Sequence, residues 1–182
     1  SRMTQNRDAK VRIAAAVATR IQNGDSLALD TGSTTGFIAQ ALSQHRELTV
    51  VTNSSFIAST LSMVPGNRVF MAGSQLRNHD GAAFDRLAFE VIASFHIRWA
   101  ILSASAVSPD HGFMVQEKCE ADISALMMEN AEKRIMAVDS SKFGKPGLIS
   151  LPALTKGDLL ASDQPPSADF TALAGPLELV TD

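Results

Sequence analysis

The strongest constraint on the fold is an alternation. Strand-sized apolar runs at 26–29, 48–52, 68–72, 99–104 and 134–138 are separated by segments with helical periodicity, and shorter apolar runs follow at 159–161 and 177–180. Antiparallel neighbours can be joined by a tight hairpin, whereas parallel neighbours need a long crossover, which in this chain has a helical pattern. The apolar runs do not alternate strictly with polar residues, as expected for strands covered on both faces. The expectation is therefore an α/β domain with a mostly parallel sheet.

The helical patterns cover 5–22, 54–63, 85–94 and 119–132, together with a segment that places Phe37, Ile38, Ala41 and Leu42 on one face. In the first of them Val11, Ala14, Ala15, Ala18 and Ile21 form the expected apolar stripe, and Asn23-Gly24 is a stop signal. The sequence predicts a polar loop over 74–84 and a turn at 110–112. Pro165 and Pro166 read as the start of a last helix near Ser167. A chain of 182 residues without repeats or low-complexity tracts is expected to form one domain.

Charge and cysteine usage exclude some functions. The net charge of −3 and the lack of a basic run argue against nucleic-acid binding by these residues. One cysteine, Cys119, permits no internal disulfide, and four dispersed histidines give no metal-ligand spacing. Neither a metal nor a cofactor is expected. The apolar runs are too short to span a membrane and no signal-peptide pattern opens the chain, so a cytoplasmic location is expected, with no membrane partner.

In an open α/β sheet, ligands gather outside the carboxyl ends of the strands. Those ends carry a consistent chemistry. The first gives Asp30, Thr31, Gly32, Ser33, Thr34 and Thr35, where a strand runs through glycine and hydroxyls into a helix. A helix N-terminus has unpaired N–H groups and partial positive charge, which suits an anion, and Gly32 permits close approach or a positive φ. The second end gives Thr52, Asn53 and Ser54, and the third Gly73, Ser74, Gln75, Leu76 and Arg77. Ser103, Ala104 and Ser105 follow the fourth strand, and Asp139, Ser140, Ser141 and Lys142 a later one. Hydroxyls, amides and a few cations suit a phosphorylated polyhydroxy molecule.

Plainer readings stay open for each group. Residues 33–34 and 52–54 also suit simple N-caps, 139–141 a turn satisfied by its own side chains, and Arg77 and Lys142 solvated surface charges. His79 lies in a loop within reach of a ligand, but nothing in the sequence orients it. No G-x-S-x-G elbow, G-x-G-x-x-G fingerprint or P-loop lysine is present.

In this order and spacing, residues 30–35, 50–54, 72–77 and 139–144 resemble the effector-sensing domain of DeoR-type (glycerol-phosphate-repressor-like) bacterial transcription regulators. Glu120 and Ala121 at a helix start match a further feature of that family, and the resemblance runs from about Lys10 to Asp182. It implies a Rossmann-like α/β fold similar to ribose-5-phosphate isomerase, glucosamine-phosphate deaminase and CoA transferases. It also implies a phosphorylated sugar or related effector, a homo-oligomer, and DNA binding only through an N-terminal winged helix-turn-helix absent from this chain. On that basis residues 1–9 are a linker remnant and 10–182 one sensing domain, with Glu120 added to the ligand-binding set.

Two departures stand out. Ser103–Ala106 replaces a Gly-x-Asp-Gly-like stretch, and Ser124 stands where a lysine usually follows Glu120. Related isomerases take their base from the first of these places. A non-enzymatic sensor is therefore expected over an isomerase or deaminase. A third reading is a dimerisation domain using the stripe Phe89, Val91, Ile92 and Phe95, or the first helix, although core packing explains either better.

Overall fold

The computed structural model describes residues 6–170, 173 and 178–180. Seven strands form one sheet in the order β10-β9-β7-β4-β1-β2-β3, and every neighbouring pair is parallel. They are β1 (Ser26–Leu29), β2 (Thr49–Thr52), β3 (Arg68–Met71), β4 (Ile97–Leu102), β7 (Ala131–Ala137), β9 (Leu159–Ala161) and β10 (Glu178–Val180). The expected α/β, Rossmann-like architecture is the one observed.

The helices divide between the two faces. α1 (Arg7–Ala18), α2 (Ser33–Leu42) and α3 (Ser55–Ser62) cover one side, and α4 (Arg86–Ala93) and α5 (Lys118–Glu129) the other. β1, β2, β4, β7 and β9 each supply both layers, which explains their apolar runs. Leu27, Leu29, Trp99 and Ile101 enter the core under α1–α3, while Ala28, Ala100 and Leu102 enter the one under α4 and α5. Connections from β1 run outward through β2 to β3, whereas β4 returns to the other side of β1 and continues to β7. The order thus reverses between β1 and β4, and the crevice opens at that switch point.

Sequence and structure differ in three informative places. The expected α1 stripe is rotated: Val11 and Ala15 are exposed, and the residues buried on the helix are Lys10, Ile13, Ala14, Ala16 and Val17. Alanine fits either side of a helix, so an Ala-rich run fixes the phase poorly. β4 starts earlier than expected and stops at Leu102, because the Ser103 N–H donates to the Asp30 side chain. A second, antiparallel sheet of β5 (Ala106–Ser108), β6 (Gly112–Val115) and β8 (Ile149–Ser150) was not expected; strands of two to four residues carry too little period to read.

Helix starts follow their caps. Ser54 accepts from the Ile57 N–H and Asp85 from the Ala88 N–H, so α3 and α4 begin one residue later than the capping residues expected to open them. A short 3-10 turn, Ala168–Phe170, lies where the last helix was expected to begin. Most of the rest of that helix, Leu177 and residues 1–5 of the expected linker (1–9) lie outside the described residues, whereas 7–9 belong to α1. No helix among the described residues is long and apolar enough to cross a membrane.

Candidate functional site

The loop from β1 to α2 forms one wall of a cavity of about 240 Å³ at the switch point. Asp30, at the end of β1, is buried, and its Oδ2 accepts from Ser103 N (2.7 Å) and Ser103 Oγ (3.0 Å) at the end of β4. The carboxylate thereby joins the two strands where the sheet order reverses. Burial raises its pKa from 3.8 to about 7; the Ser103 donors oppose that shift, and the Glu120 charge adds to it.

α2 begins at Ser33 with no side-chain cap. Its first-turn N–H groups and partial positive charge adjoin Thr31, Gly32, Ser33 and Thr34, all of which line the cavity. The Gly32 φ of 164° is extended backbone, so the glycine is not required by a positive φ as one reading allowed. It is required by space: a Cβ there would lie 2.9 Å from Ser103 Oγ. Thr35 is fully buried, and its hydroxyl donates to the Asp30 and Gly32 carbonyls, which fixes the loop.

Cations approach from two directions. Lys10, in the first turn of α1, donates from Nζ to Ser33 Oγ at 2.8 Å, and Lys142 comes from the 3-10 turn Ser140–Lys142 after β7. Asn53 is fully buried on the cavity wall. Its Nδ2 donates to the Ala83 carbonyl (3.0 Å), and its Oδ1 has no partner. Glu117, Glu120, Gln116, Ser105 and Ser124 complete the polar lining, with His79 at the mouth.

Several residues expected to bind ligand are instead used inside the fold. Thr52 is buried and donates to the Leu29 carbonyl, and Ser54 caps α3. Gly73 has φ 112° and packs beside Ala83 and Asp85, so its role is to turn the chain out of β3. The Gln75 N–H donates to Asp85, which also binds Ser74 N–H and Oγ; these donors hold the Asp85 carboxyl at about 2. Asp139 is buried and accepts from the Ser141 N–H and hydroxyl, with Lys142 Nζ at 3.8 Å. None of these five residues lines the cavity.

Arg77 is the largest correction. It was expected to meet an anion, but its guanidinium is already shared among three carboxylates. Nε and Nη2 donate to Asp80 (2.8 and 2.7 Å), Nη1 to Glu117 (2.9 Å) and Nη2 to Glu120 (2.7 Å), with the group stacked 4.4 Å from the Phe84 ring. Hydrogen bonding to Asp80, ahead of Glu120, raises the Arg77 pKa. Burial works against the Asp80 charge, yet Arg77 outweighs it and holds that carboxyl below its usual range. The arginine ties the 77–80 loop to the start of α5 instead of presenting a free cation.

Lys10 was missed. Its signal was present as a lysine at i, i+3, i+4 and i+7 spacing with Ile13, Ala14 and Val17, a charge inside an apolar stripe. Gln116 and Glu117 gave no local signal; the crossing from β6 into α5 past the switch point brings them in.

Comparison with known proteins agrees with this geometry. The family model described as the DeoR C terminal sensor domain matches residues 5–164. The chain is 32% identical over 157 residues to the glycerol-3-phosphate regulon repressor of Escherichia coli (strain K12), an alignment covering 86% of this chain and 62% of that protein. It is 27% identical over 167 residues to the HTH-type transcriptional repressor GlcR of Bacillus subtilis (strain 168), covering 90% and 63%. The chain thus spans about three fifths of the length of these relatives. Ribose 5-phosphate isomerase A from Methanocaldococcus jannaschii superposes with a TM-score of 0.54 at 16% identity, covering 76% of this chain and 55% of that one. The Pyrococcus horikoshii OT3 translation initiation factor eIF-2B superposes with a TM-score of 0.55 at 21% identity, covering 80% and 50%. These two share the fold. With the family model matching most of its length, and a relative above 30% identity aligned over most of it, the chain belongs to the DeoR C-terminal sensor domain family.

Proposed function

We propose that this domain is the ligand-sensing part of a transcriptional regulator. Its cavity takes a phosphorylated sugar or related small metabolite, and its occupancy biases a DNA-binding module that precedes it in the full-length protein. The observation that carries this reading is the convergence at one cavity of an uncapped helix N-terminus, two lysines and a buried amide. Helix N–H groups and lysines suit a phosphate, and Asn53, Ser103 and Glu120 suit hydroxyls. The relatives carry repressor names.

The contacts of α1 support a route for the signal. Asn6 Nδ2 donates to Ser141 Oγ (3.1 Å) and Lys10 to Ser33 Oγ, so the N-terminal end of the domain touches both loops that would hold the phosphate. A ligand that favours one arrangement of these loops also favours one position of α1.

The isomerase reading has less support. Asp30 is the cavity carboxyl poised near neutrality, but both its oxygens lie within hydrogen-bonding distance of Ser103, so proton abstraction would require breaking that pairing. Thermal denaturation with a panel of sugar phosphates tests the proposal, because a ligand of the folded state raises the melting temperature by mass action. Stabilisation by unphosphorylated metabolites alone would defeat the phosphate assignment, and turnover of a stabilising compound would restore the enzyme.

A further inference from the structure

We propose that Glu120, with Glu117 beside it, acts as a charge filter: the cavity accepts phosphate monoesters whose remaining groups are hydroxyl or amino, and rejects those carrying a second phosphate or a carboxylate. The inference rests on the phosphate reading above and adds a selectivity to it.

The cavity has two chemically different sides. On one are the α2 N-terminus, the Lys10–Ser33 pair and Lys142. On the other, α5 begins with Glu117 as its N-cap residue and Glu120 in its first turn. The cation that meets them is Arg77, which Asp80 shares; one guanidinium against three carboxylates leaves a formal charge of −2. Arg77 therefore holds the acidic side in place without neutralising it, and Asp30 lines the same cavity.

An independent observation agrees. Asn53 is fully buried on the cavity wall, and donation from its Nδ2 to Ala83 fixes its orientation, leaving Oδ1 as an unpartnered acceptor. A buried acceptor gains from a ligand donor, a hydroxyl or an ammonium, and is left unmet by a second anion. Ser103 and Ser124 offer hydroxyls that pair equally well with a polyol. Anionic recognition belongs to one side, donor recognition to the other.

Pairs of compounds that differ by one carboxylate test this by titration calorimetry. Glycerol 3-phosphate is compared with 3-phosphoglycerate, and glucose 6-phosphate with 6-phosphogluconate, with inorganic phosphate as the baseline. In whichever pair binds, the carboxylated member should bind at least ~10-fold more weakly, as like charges brought together at a binding surface do. Glu120→Gln keeps an acceptor for Arg77 and removes the charge, so it should narrow that ratio; melting of the ligand-free variant verifies the fold. Equal affinity within a pair overturns the filter, as does a ratio unchanged in both Glu120→Gln and Glu117→Gln. If no member of either pair binds more tightly than inorganic phosphate, the sugar-phosphate reading itself falls. That outcome is distinct from a pair that binds without discrimination.

Discussion

The carboxylate of Asp30 and the backbone N–H of Ser103 meet at 2.7 Å across the point where the sheet order reverses. This contact ends β4, closes the floor of the cavity and holds a charge in a buried place. The buried charge has a consequence for pH. Because the folded-state pKa of about 7 lies above the ordinary 3.8, the folded chain binds the Asp30 proton more tightly than the unfolded chain. The contribution to stability is therefore complete below the ordinary value and is lost as pH rises through about 7, at most roughly 4 kcal/mol. Urea denaturation of the parent and of Asp30→Asn between those limits isolates the effect: the difference in midpoint should change across the window in favour of the variant at neutral pH.

Gly32 should tolerate no larger residue while Ser103 keeps its hydroxyl. A Cβ at 2.9 Å from Ser103 Oγ predicts that Gly32→Ala costs about 1–3 kcal/mol, a typical overpacking penalty. Adding Ser103→Gly removes the obstructing oxygen, so chemical denaturation of the double variant should show less loss than the two single losses added. Strict additivity would show that backbone conformation, and not the close approach, is what demands glycine.

Arg77→Met should loosen the junction between the 77–80 loop and α5. It retains an apolar stem against Phe84 but leaves Asp80, Glu117 and Glu120 to repel one another. The guanidinium is partly exposed, and solvent screening limits the expected destabilisation to about 1–2 kcal/mol. Because the loss arises from ionised carboxylates, it should shrink in acid, and melting curves at neutral and acidic pH read this directly.

Thr34→Ala and Lys142→Ala should each weaken a phosphorylated ligand by roughly 10-fold, since charge-assisted hydrogen bonds to a phosphate are among the stronger ones. Both residues line the cavity, and neither belongs to the larger core clusters. The ligand-free melting temperature should stay close to that of the parent. Equal loss of stability and of affinity would show that the two residues support the fold instead of meeting the ligand.

What the sequence showed on its own was whatever depends on local pattern. Continuous apolar runs with helical segments between them specify strands buried on both faces, and hence a parallel sheet. Strand ends then had to gather on one edge, so Asp30–Thr34, Asn53, Ser103 and Lys142 could be nominated together. Family motifs added Glu120. Local pattern failed where it carried little information: the Ala-rich α1 was rotated, and the very short β5, β6 and β8 were unread.

The tertiary structure alone decided which polar groups are free to act. Thr35, Thr52 and Ser54 carry the same hydroxyls as Ser33 and Thr34, yet theirs are bound to carbonyls or to the α3 cap. Arg77 carries a positive charge that three carboxylates already hold, two of them some forty residues away on α5. Lys10 turns toward the site because α1 packs on α2, and the Asp30 pKa is raised to about 7 because burial at the β1–β4 junction outweighs the Ser103 hydrogen bonds that oppose it. Residue type fixes what a side chain can bind; only the packing of distant segments fixes what it has already bound, and how much water remains around it.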